Sequence, residues 1–85
     1  MTDETLREEP PCEDRLTDYD HAHLQAYIRL LDAAAAGADW REAAALVLGL
    51  DVEADPPRAR RIHDKHLKRA RWMSKTGYRG LAGMG

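Results

Sequence analysis

The sequence predicts an all-α fold: a small three-helix domain, a helix-turn-helix variant with an extended turn, behind a flexible N-terminal arm. Three observations carry this. Apolar residues in the central part of the chain recur at helical spacing. Asp39 and Asp55-Pro56 on one side, and Gly37, Gly49 and Gly77 on the other, supply start and stop signals that divide it into three segments. No stretch reads as a strand, and there are no internal repeats. With 85 residues the chain makes one domain, whose thin core rests on Leu, Ile, Ala, two Trp and three Tyr because phenylalanine is absent.

Residues 1–18 form an acidic arm that carries Pro10-Pro11 and lacks periodicity, so it is expected to be flexible, with Leu6 and Leu16 able to dock on the body. The helix-turn-helix domain spans 19–81, and 82–85 form a frayed tail. The first helix is expected from about Asp20 to Ala36. Leu24, Tyr27, Ile28 and Leu31 fall at i, i+3, i+4 and i+7, and alanines extend the run up to Gly37. The second helix is short. Asp39 caps it, Glu42 stands close to a capping-box position, and Trp40, Ala43, Ala44, Val47 and Leu48 give an apolar face before Gly49.

The turn from Gly49 to Asp55 is longer than the ordinary helix-turn-helix connection of about three to four residues. The third helix then runs from Asp55 to Gly77. Asp55 caps it, Pro56 takes the first helical position, and Lys75 complements the negative end of its dipole. At about 100° per residue, Ala59, Ile62, His63, His66, Leu67, Ala70 and Met73 share one face. The other carries Arg58, Arg60, Arg61, Lys65, Lys68, Arg69, Arg71 and Lys75, with Trp72 among them. Trp40, Leu24, Ile28, Leu31, Val47, Ile62 and Leu67 are assigned to the core.

The single cysteine, Cys12, excludes an intramolecular disulfide framework and a Cys-rich zinc site. His63 and His66 lie one helical turn apart, which would suit a metal, but both point toward the apolar face and read better as core-edge histidines. No metal or cofactor is expected. There is no glycine-rich phosphate loop, nucleophile motif or pair of carboxylates on an apolar face, so an enzyme is not expected. The acidic N-terminus is unlike a signal peptide and no apolar run spans a membrane; a cytoplasmic monomer is the expectation.

Charge is sharply divided. Residues 1–20 hold eight acids and two bases, residues 21–55 six and two, and residues 56–85 one and nine, for a net charge of −2. The basic helix suggests DNA contact through Arg58, Arg61 and Lys65 at the start of a recognition helix. Against it stand Asp51, Glu53 and Asp55 directly before the helix, and the acidic balance of the whole chain. Protein recognition is the competing reading, with Trp72 and Tyr78 as aromatic anchors.

The runs YIRLLDA, GADWREAA, VLGLD, DPPRARRIHDKHL, RARWM and GYR, from about His21 to Leu81, resemble a proteobacterial family, formerly a domain of unknown function, found on integrative and conjugative elements. The family is an extended-turn helix-turn-helix, which accounts for the long connection after Gly49. The resemblance implies two roles. In transcriptional activators the domain is the DNA-binding half, beside a separate N-terminal domain. In a stand-alone form it is an antiactivator that mimics that half, occupies the activator's N-terminal domain and blocks conjugative transfer, with a LuxR-type quorum-sensing regulator as a second implied partner. Read as stand-alone and net acidic, the chain is expected to follow the antiactivator, with nucleic-acid binding weak or absent. Its docking surface is assigned to Gln25, Arg29, Asp32, Trp72 and Tyr78. The alternative is a small DNA-binding regulator using Arg58, Arg61 and Lys65.

Overall fold

Thr17 opens the helical part of the chain with a reciprocal cap. Its Oγ1 accepts from the Asp20 N–H at 3.3 Å, and the Asp20 carboxylate accepts from the Thr17 N–H at 2.9 Å. Two otherwise unpaired donors are satisfied together. The computed structural model, which describes residues 6, 8–13 and 15–77, then gives α1 (Asp18–Ala22) and α2 (Leu24–Ala35). The single first helix expected from Asp20 to Ala36 is thus two. At His23 the backbone leaves helical geometry (φ −111°, ψ 17°). There the His23 ring Nδ1–H donates to the Tyr19 carbonyl at 3.0 Å, and the ring stacks on Tyr19 with centroids 4.2 Å apart.

The remaining boundaries follow local chemistry. After α2, Gly37 takes φ 75° and the Ala38 N–H reaches back to the Ala33 carbonyl. Asp39 caps α3 (Trp40–Leu48) by accepting from the Arg41 N–H at 2.9 Å. Gly49 ends it at φ 69°, the left-handed region that glycine enters without a steric penalty. The extended turn is held by Asp51, which accepts from the Ala54 N–H, and by Asp55, which accepts from the Arg58 N–H at 3.2 Å and starts α4 (Pro56–Trp72). The long helix passes into a π-helical turn over Met73–Gly77. Tyr78, Leu81 and the tail 82–85, on which expectations were placed, lie outside the described residues.

Helix α4 packs on both α2 and α3, which also pack on each other. Among the described residues every regular element is helical and none is a strand. Tyr27, Ala70 and Met73 form the centre of the core, with Leu16, Leu24, Leu31 and Trp72 against it. Buried alanines on both sides, Ala43 and Ala44 of α3 and Ala59 of α4, let those two helices approach closely. Of the expected core set only Ile62 is fully buried, and Leu24, Leu31, Val47 and Leu67 are half-buried. Ile28 is 49% exposed, whereas Leu30 is buried. The buried stripe of α2 is centred on Tyr27, and Ile28 stands one residue, about 100°, from that centre. Trp40 is only half-buried: its ring lies beside His63 and beneath the Arg41 and Arg60 guanidinium groups. Among the described residues no helix is long and apolar enough to cross a membrane.

Candidate nucleic-acid interface

The sequence places cations at i, i+3, i+7 and i+10 along α4, namely Arg58, Arg61, Lys65 and Lys68, so they share one stripe of the helix, ending at Trp72. Arg58, Arg61 and Lys68 are exposed and Lys65 is half-buried. The stripe begins in the first turn of α4, directly after the capped turn. The opposite arc, with Ala59, Ile62, His66 and Ala70, is buried against the rest of the domain, which fixes the stripe outward. Arg60 and Asp64 form a separate exposed pair at 3.1 Å.

The described part of the arm lies on this stripe. Glu8 Oε2 accepts from Arg58 Nε at 3.0 Å, and its Oε1 lies 3.7 Å from Arg61 Nη2. The Arg58 hydrogen bond holds the Glu8 carboxyl below its ordinary range. Glu9 pairs with Lys65 at 3.1 Å. Between the arm and α4 remains a cavity of about 320 Å³, lined by Pro10, Pro11, Cys12, Lys65, Lys68 and Trp72 among others.

Arg69, expected on the basic face, is instead buried. Its Nε and Nη2 donate to the two oxygens of Asp20 at 3.0 and 2.6 Å. Its remaining donors reach the Glu13 carbonyl at 2.7 Å and the Arg15 carbonyl at 3.0 Å, and its guanidinium sits 4.1 Å above the Trp72 ring. Tyr27 Oη also donates to Asp20 at 2.8 Å. The helical wheel contained this signal: Arg69 is i+7 from Ile62 and i−4 from Met73, on the apolar arc. The Thr17-x-x-Asp20 capping pattern marked the other partner.

The histidines are occupied structurally. His66 Nδ1–H donates to the Ile62 carbonyl at 2.8 Å, so its Nε2 accepts from the Tyr19 hydroxyl at 2.7 Å. His63 Nδ1–H donates to Asp64 at 2.9 Å. Of the proposed docking residues, Gln25, Arg29 and Asp32 share one exposed stripe of α2. It lies on the far side of α2 from Tyr27, whereas Trp72 packs against the Tyr27 cluster. The structure therefore separates these three from Trp72, and Tyr78 is outside the described residues.

A family model described as the DNA-binding domain of a T6SS transcription factor, RovC type, matches residues 2–82. The chain belongs to this family. A comparison with curated proteins gave no match. The family supports the helix-turn-helix, DNA-binding character of the domain, a class not associated with catalysis. It corrects the expectation that nucleic-acid contact would be weak or absent. That expectation weighed the net charge of the chain and the acids before α4. Yet Asp51 and Asp55 cap the turn and the helix, and Arg58, Arg61, Lys65 and Lys68 are gathered on one outward stripe.

Proposed function

We propose that the domain is a small transcriptional regulator that binds duplex DNA with α4 as recognition helix. The observation that carries this is the stripe of Arg58, Arg61 and Lys65, exposed or half-buried at the start of a helix whose opposite arc is anchored in the core. In a major groove, arginines at these positions reach base edges and phosphates, and Lys65 meets a phosphate. The family description makes T6SS promoters the first DNA to try. Such a protein acts in the cytoplasm, with a single copy as the simplest binding unit.

The test is a salt-dependent titration of DNA with Arg58→Ala/Arg61→Ala. Each lost phosphate contact should reduce the slope of log affinity against log salt by about 0.9, and stability should change by less than about 0.5 kcal/mol per site. Unchanged affinity and slope would remove α4 from the interface.

A second reading, a QseM-like antiactivator, is favoured by one observation: Glu8 and Glu9 already occupy the cationic stripe. It has the domain dock on the N-terminal domain of a transcriptional activator, with Gln25, Arg29 and Asp32 as candidate contacts. Charge reversal by Arg29→Glu/Asp32→Lys would then abolish that complex and leave DNA binding untouched.

A further inference from the structure

Glu8 and Glu9 stand where phosphates would. One carboxylate spans two arginines and the next meets a lysine, over about two turns of α4. These are the three cations assigned above to DNA. The segment that carries them is built in three grades of strength. Its root is fixed, because the buried Arg69 donates to the carbonyls of Glu13 and Arg15. Its middle is Pro10-Pro11, whose locked φ angles leave few conformations. Its tip is held by ion pairs whose side chains are about half exposed (52% for Glu8, 47% for Arg58). Exposed pairs of this kind are individually weak and screened by salt. The cavity beneath Pro10, Pro11 and Cys12 shows that the arm bridges the helix without packing down on it.

We infer that the segment Glu8–Cys12 is an intramolecular cover of the DNA-binding face, which must lift from Arg58, Arg61 and Lys65 before a phosphate backbone seats there. The inference rests on the DNA-binding reading of α4. Lifting costs the same for every duplex, so the cover lowers all affinities by one factor. Binding through phosphates alone then falls below the working concentration, whereas a site that adds base contacts is still held.

Two measurements on the full chain test it. Cys12 is the single cysteine, so Cys12→Ser/Lys68→Cys carries one nitroxide on α4, beside the stripe, that reports where the arm's tip lies. In the free protein it should broaden the amide signals of residues 8 and 9, and saturating duplex or Glu8→Gln/Glu9→Gln should restore them. No broadening in the free protein overturns the cover, whatever DNA does. Broadening that persists with DNA bound also overturns it and leaves the DNA reading intact.

The second measurement is a titration of a fluorescent duplex of mixed sequence. At low salt Glu8→Gln/Glu9→Gln should bind roughly three- to tenfold more tightly than the parent. Asp18→Asn/Asp32→Asn removes the same charge elsewhere and should gain less than about twofold. Equal gains would mean that the acids act as bulk charge, and the cover is overturned. If the nitroxide reports a docked arm but neither the parent nor Glu8→Gln/Glu9→Gln binds duplex, the DNA reading fails and takes the cover with it.

Discussion

Asp20 accepts five hydrogen bonds, from Thr17, Tyr27 and Arg69, at a position without solvent exposure. Burial pushes its carboxyl up, but these donors outweigh burial and hold it at about 2, against an ordinary 3.8. A depressed folded value stabilises fully above 3.8, and that stability is lost as pH falls through about 2. His66 acts earlier on the same limb. Burial lowers its folded value below the ordinary 6.5, so below 6.5 the unfolded chain takes up a proton that the folded one resists. From neutral pH downward, stability should therefore fall as His66 is forced to charge, and fall again between 3.8 and 2. Circular-dichroism melts from neutral to acid pH read both steps. Asp20→Asn removes the lower step and leaves Arg69 buried without a counter-charge, at a cost of roughly 3–5 kcal/mol. That is a large part of the about 5–15 kcal/mol a domain possesses. A pH-independent melt, or an Asn variant as stable as its parent, would contradict the network. The Thr17–Asp20 capping pattern is local, but an expected helix start at about Asp20 overlooks it. The pairing of Asp20 with Arg69 joins residues 49 apart in sequence and appears only when α4 lies against α1.

At the scale of elements, the features readable in sequence are those set by a few adjacent atoms. The Asp39 and Asp55 caps and the Gly49 stop all stand where the sequence put them, and so does the long turn. What was not readable depended on more distant chemistry. No local signal marks the break at His23, and the π-helical turn over Met73–Gly77 replaces the end of a helix expected to run unbroken to Gly77. The phase of α2 is the sharpest case. An i, i+3, i+4, i+7 pattern fits Leu24, Tyr27, Ile28 and Leu31, but α4 selects the arc that holds Tyr27 and Leu30. Stability measurements separate the two phases. Leu30→Ala should cost about 2–5 kcal/mol, the range for deleting a fully buried leucine. Ile28→Ala, half exposed, should cost under about 1 kcal/mol. The reverse order would rotate α2 by about 100° and return Ile28 to the core.

Over the whole molecule, the net charge of −2 misled because it averages over an arrangement. The acids of the arm do not dilute the bases of α4 evenly; two of them sit on three of the bases, at 3.0 to 3.7 Å. The division of charge along the chain was legible, and so was the stripe. That the one folds onto the other was not, because it turns on Arg69 anchoring the arm's root beside α4. This geometry makes the salt response of DNA binding distinctive. Added salt weakens phosphate contacts, because counterion release loses its advantage, with a slope of about −0.9 per phosphate. It also weakens the pairs that hold the cover down. In the parent chain the second effect offsets part of the first. In Glu8→Gln/Glu9→Gln there is nothing left to offset. The parent should therefore show the shallower slope, and the two lines should converge as salt nears about 0.5 M, where screening acts within about 4 Å. Parallel lines would mean that salt does not loosen the arm and that the pairs at its tip are stronger than their exposure implies.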